Sequence, residues 1–118
     1  MDYSKIKTEI NSFIQQRNWD QFHSVKNLSM ALSVEASELV EIFQWQTEEK
    51  SNSLYQDEVE KEKISDEVAD IFIYLTRICE KNEIDLEKAV LRKIDKNAKK
   101  YPAELSFGSI KKYTELKK

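Results

Sequence analysis

The sequence predicts an all-α, four-helix bundle-like fold, and three observations carry that prediction. Glycine and proline occur once each in 118 residues, so turns and hairpins are poorly supplied. Charged residues make up 35% and hydrophobic residues 40%, a mixture that suits long amphipathic helices. Apolar residues also recur at spacings of three and four along most of the chain. The length fits one domain, residues 1–118, with a single core.

The first helix is expected from about Ser4 to Arg17. Ile6, Ile10, Phe13 and Ile14 form its apolar stripe, with Ser4 as the N-cap. Asn18 to Ser24 (NWDQFHS) reads as a connection carrying two aromatics. The second helix is expected from Val25 to Gln46, and the polar stretch TEEKSNS after it reads as a loop. The third helix starts at Tyr55 or Val59 and runs to Lys81. The fourth starts at an Asp85 N-cap and stops before Pro102, which disfavours helix at Tyr101. Its inner row is Leu86, Val90, Ile94 and Asn97. Residues 103–118 hold the only glycine and read as an extended tail.

Composition also excludes. A net charge of −3 provides no broad basic surface for nucleic acid. The longest apolar run, Ile71 to Leu75, is too short to span a bilayer, and the N-terminus has no apolar segment of signal-peptide type. The single Cys79 has no intrachain partner and reads as a packed thiol in a reducing compartment. These features point to a soluble, cytoplasmic protein. Phe43, Trp45, Phe72, Ile73 and Tyr74 are more than one small core can cover, so association into a dimer or a pair of dimers is expected.

Two carboxylate pairs carry the functional signal. Glu35 and Glu38 lie three apart in VEASELVE, and Glu67 and Asp70 lie three apart in DEVADIFIY. That spacing puts both members of a pair on one helix face. Each pair also falls on an apolar row: Leu28, Ala31, Glu35, Glu38 and Ile42 in one helix, and Ile64, Glu67, Ile71, Tyr74 and Ile78 in the other. Carboxylates turned inward are costly without a partner, and four facing each other repel. A divalent cation held by oxygen ligands relieves this, and so does pairing with lysine or arginine. The all-oxygen set favours Mg²⁺, with Mn²⁺ possible. Zn²⁺ would recruit His or Cys, and a di-iron bundle needs Glu-x-x-His, whereas the sole histidine, His23, lies outside the motifs. Such a cation suits phosphate chemistry. Lys93, Asn97 and Lys100 form a stripe on the fourth helix that could meet phosphates or simply face solvent. Trp19, Phe22 and Trp45 are candidates for stacking on a base, and Tyr74 for packing on a sugar, each with core or interface packing as its alternative.

At these residues the sequence resembles the MazG-like, all-α nucleoside triphosphate pyrophosphohydrolase superfamily, nearest its dCTP pyrophosphatase branch. The resemblance covers nearly the whole chain through the ordered motifs EASE, FQW, DEVAD, KIDKN and KYP, ending in GSIKKYTEL. It implies an active site completed by oligomerisation, as a dimer or tetramer. It also implies Mg²⁺-dependent hydrolysis of a (deoxy)nucleoside triphosphate to the monophosphate and pyrophosphate. By motif position Glu35, Glu38, Glu67 and Asp70 would be metal ligands, with Glu35 or Glu38 orienting the attacking water. Lys93 and Asn97, with Lys100 and Tyr101 nearby, would meet the phosphates or sugar. Trp19 and Trp45 match aromatics of the base pocket, and His23 a histidine of the family's QFH segment. The family's site-lining histidine in the first helix is replaced here by Ile10, which bears on cytosine selectivity. Two other readings compete: a broad-specificity NTP pyrophosphatase, and a non-enzymatic helical module that docks a basic partner.

Overall fold

The computed structural model describes residues 1–110, and its regular elements are helical throughout. The chain divides into two compact units, Met1–Glu83 and Ile84 onward. Helices α1 (Tyr3–Gln16), α2 (Val25–Phe43), α3 (Glu48–Ser51) and α4 (Glu58–Lys81) belong to the first; α5 (Leu86–Lys100) and α6 (Ala103–Ser106) belong to the second.

Every helix of the first unit starts at a side-chain cap. Asp2, not Ser4, caps α1, its carboxylate accepting from the Lys5 N–H at 3.0 Å. Ser4 lies inside the first turn, where its carbonyl accepts from the Thr8 hydroxyl. Ser24 caps α2 through the Asn27 N–H, and Asp57 caps α4 through the N–H groups of Val59 and Glu60. The TEEKSNS stretch is not a loop throughout. Thr47 caps it by accepting from the Lys50 N–H, and Glu48–Ser51 form one helical turn.

The link between α1 and α2 is also ordered. Asn18 adopts a left-handed backbone (φ 53°), a conformation asparagine tolerates better than most residues. The Trp19 N–H then donates to the Ile14 carbonyl and the Asn18 N–H to that of Gln15, which closes the helix end in a Schellman motif. A 3₁₀ turn, Asp20–Phe22, follows directly.

Within the first unit α2 packs along α4. The α1–α4 contact is polar and aromatic. The Tyr3 hydroxyl donates to Thr76 at 3.2 Å, and the Tyr3 and Phe72 rings meet edge to face at 5.7 Å. Ile10, Ile14, Leu28 and Cys79 are buried, and so are Thr76 and Arg77. The packed thiol expected at Cys79 is present, and burial, with help from the Glu80 charge, pushes its pKa up.

The second unit corrects two expectations. Asp85 caps α5 as expected, through the Lys88 N–H. The row Val90, Ile94 and Asn97 is exposed rather than inward, Ile94 by 59%. The segment after Pro102 is not wholly extended, because Ala103–Ser106 form a helical turn in which the Leu105 and Ser106 N–H groups donate to the Pro102 carbonyl. The rest of the expected tail, residues 111–118, lies outside the described residues. No helix among the described residues is long and apolar enough to cross a membrane.

Candidate active site

The α2–α4 contact brings the two acidic motifs together. Glu35, Glu38 and Glu67 each place a carboxylate oxygen within 4.8 Å of the others. Asp70 stands beside them, and its charge acts on both Glu35 and Glu67. One buried oxygen of Glu35 and one of Glu67 have no hydrogen-bond partner. The Glu35 carboxyl is pushed up to about 7, first by its hydrogen bond with Glu67, then by burial and by the charges of Glu38 and Asp70. Glu67 is held lower by its bond to Glu35, yet burial and the same two neighbours leave its net shift upward. Two unpartnered carboxylate oxygens facing a third carboxylate form an all-oxygen donor set, which fits a hard divalent cation.

Asp70 and Tyr74 also line a cleft of about 630 Å³. Tyr74 faces the acids: burial, then the charges of Glu35, Asp70 and Glu38, raises its phenol pKa. Ile10, Phe13, Trp19 and Ile73 supply apolar wall, and His23 and Arg77 line it as well. The Phe13 and Trp19 rings meet edge to face at 5.6 Å, and the Arg17 guanidinium lies 3.8 Å above the Phe13 ring. Burial, then the Arg77 and Lys81 charges, outweigh Asp20 and depress the His23 pKa, so the ring is neutral at pH 7.

Of the residues expected at the site, Glu35, Glu38, Glu67 and Asp70 are together, and Trp19, His23 and Tyr74 line the adjoining cleft. Trp45 does not line it: α2 ends at Phe43 instead of Gln46, and Trp45 stands 87% exposed in the turn beyond. Lys93, Asn97, Lys100 and Tyr101 belong to the second unit, Lys93, Asn97 and Lys100 on α5 and Tyr101 at its C-cap, and all four are exposed to solvent. The buried amide expected at Asn97 is therefore an exposed one. Sequence reasoning missed Arg77, which is 7% exposed and lines the cleft. Its signal was a guanidinium inside the apolar run IFIYLTRIC, where a charge requires partners.

Among the described residues the chain is all-helical, with paired i, i+3 carboxylates on two facing helices beside an aromatic cleft, a class of helical protein whose acidic donor set fits divalent cations. The MazG-like family matches residues 30–116, and the chain belongs to that family. It is 41% identical to bovine (Bos taurus) dCTP pyrophosphatase 1 over 104 residues, 88% of this chain and 62% of that protein. It is 40% identical to the human (Homo sapiens) protein of the same name over 88% of this chain and 61% of that one. The chain thus spans about three fifths of the length of the curated relatives it matches. A crystal structure of a pyrophosphatase from Archaeoglobus fulgidus aligns with a TM-score of 0.79 and 35% identity, covering 86% of this chain and 94% of that one.

Proposed function

We propose that this protein hydrolyses a (deoxy)nucleoside triphosphate, with dCTP or a modified dCTP as the preferred substrate, to the nucleoside monophosphate and pyrophosphate. The observation that carries the reading is the junction at Asp70 and Tyr74, where the carboxylate cluster opens into the aromatic cleft. A base on Trp19 and a triphosphate over the cluster would share one ligand. The names of the similar proteins, dCTP pyrophosphatase 1 and pyrophosphatase, support the same activity.

Glu35, Glu38, Glu67 and Asp70 would hold Mg²⁺, with Mn²⁺ as a substitute. When bound, the cation supplies charge neutralisation for the triphosphate and lowers the pKa of nearby water. Glu35 or Glu38 orients a water toward the α-phosphorus and accepts its proton. The new bond is water oxygen to α-phosphorus, and the α–β bridging bond breaks to release pyrophosphate. Trp19 stacks on the base, Tyr74 borders the sugar, and His23 closes the inner wall as a neutral ring. By motif position alone, Lys93, Asn97, Lys100 and Tyr101 are kept in this proposal as substrate contacts, while Trp45, carried into solvent, is not.

The proposal includes a homo-oligomer. Val34, Val40 and Val68 of the first unit each remain more than half exposed, as does Trp45, and a second copy would cover such surface. It also treats the two compact units as one MazG-like domain in the cytoplasm, a reading supported by a family match that includes residues of both.

The test is pyrophosphate release from a panel of dNTPs and NTPs, with Mg²⁺ and with EDTA. Mg²⁺-dependent release strongest for dCTP or a 5-modified dCTP is the expected result. Equal turnover of all bases would leave the enzyme and remove the cytosine preference. No turnover of any nucleotide would overturn the proposal.

A further inference from the structure

A buried charged group of the cleft, Arg77, has partners of its own. Arg77 of α4 donates to Asp20 Oδ1 at 2.6 Å through one terminal nitrogen and to Asn11 Oδ1 at 3.1 Å through the other. Asn11 in turn donates to Glu80 at 2.9 Å, and Lys81 donates to the same Asp20 oxygen at 2.8 Å. One guanidinium therefore joins α4 to α1 and to the 3₁₀ turn. That turn is closed at both ends. The Trp19 N–H is tied to the Ile14 carbonyl, Phe22 N–H donates to Trp19, and His23 N–H donates to Asp20. Asn27 also holds the Phe22 carbonyl. Trp19 and His23 thus flank Asp20 on one short element, and both line the cleft.

We propose that Arg77 is a positioning residue: by clamping Asp20 and Asn11 it fixes the turn that presents Trp19 and His23 to the substrate's base. This inference rests on the proposed nucleotide site. It differs from it in assigning base affinity to a network lying about 15 Å along α4 from Glu67. The fork geometry matters, because two acceptors on different elements are bridged by one planar group, which a lysine ammonium cannot reproduce. Breaking the clamp should weaken substrate binding without touching the groups that orient water or hold the cation.

The experiment uses the full chain as Arg77→Met, Asp20→Asn and the double variant. Steady-state kinetics of pyrophosphate release are combined with Mn²⁺ titration and with NMR of the ring of His23, the chain's only histidine. The expected result is a KM about tenfold higher in each single variant, with kcat within about twofold and Mn²⁺ affinity unchanged. The double variant should fall short of the sum of the singles, because the two substitutions share the Arg77–Asp20 bond while the Asn11 and Lys81 bonds are separate. An unchanged KM, or a kcat that falls while KM holds, would overturn the clamp, as would additive effects in the double variant. Asp20 is more than half exposed, so Asp20→Asn decides the matter if Arg77→Met does not fold. Wild-type protein that turns over no nucleotide overturns the proposed function instead. The clamp is then judged on the His23 resonances, which both single variants should shift; unmoved resonances would contradict it.

Discussion

Helix α4 carries two charge clusters, and they are built on opposite principles. At Glu67 and Asp70 it meets Glu35 and Glu38 of α2, with no cation side chain among the causes that shift these groups. At Arg77, Glu80 and Lys81 it meets Asn11 and Asp20, and positive and negative groups interlock at hydrogen-bond distances. The second cluster sets opposite charges against each other and ties α4 to α1 and to the 3₁₀ turn, although one Arg77 nitrogen and one Glu80 oxygen have no partner. The first sets like charges against one another and holds a proton at Glu35 up to about pH 7, a donor set that a cation would balance. An unbalanced cluster beside a cleft marks a site for chemistry, and a balanced one marks a scaffold.

Removing one charge from each cluster should therefore have opposite consequences. The largest expected effect is on turnover: Glu67→Gln should lower kcat/KM by about a hundredfold or more, because a proposed cation ligand is lost. The same substitution should raise the melting temperature of the metal-free chain, since a repelling carboxylate is gone. A fall in that temperature would show that the cluster is balanced after all. Arg77→Met should act the other way, costing about 2 kcal/mol of stability by urea unfolding, as charge-assisted hydrogen bonds are lost from a buried group.

The pH dependence separates the clusters further. Glu35 holds its proton to about pH 7 in the folded chain, against an ordinary value of 4.5. Between those values the folded state binds the extra proton, so this group's contribution to stability is greatest at low pH and falls as pH rises toward and through 7. Metal-free protein should thus melt lower at pH 8 than at pH 5.5 by on the order of 5 °C, and Glu35→Gln should lose that slope. Mg²⁺ should raise the melting temperature more at pH 8, where it competes with no proton. The smallest effect expected is a control outside both clusters. Asp57→Ala removes the α4 N-cap and should cost about 1 kcal/mol while leaving cation affinity unchanged.

The unbalanced cluster was legible in the sequence because its information is local. Two i, i+3 pairs on apolar rows specify their own faces, and helix pairing does the rest. Asp85 was legible as a cap for the same reason. The balanced cluster was not, because Arg77 finds its partners 57 and 66 residues away, and no spacing rule reaches that far. Trp45 was misplaced by the helix end. Periodicity continued the row through Gln46, but α2 stops at Phe43, and Trp45 is carried off the row into solvent. Ser4 lost the cap to Asp2, and Thr47 turned a polar stretch into a helical turn; in both cases an oxygen acceptor within three residues of a free N–H decided the boundary.

Every role proposed for the α2–α4 carboxylates depends on their forming a divalent-cation site. Calorimetric titration of the wild-type chain and of Glu67→Gln with Mn²⁺, competed by Mg²⁺ at pH 8, tests it without reference to any substrate. The account predicts saturable binding to the wild-type chain, displaced by Mg²⁺ and weakened more than about tenfold by the substitution. Absence of binding to the wild-type chain, or equal binding to both, would contradict it.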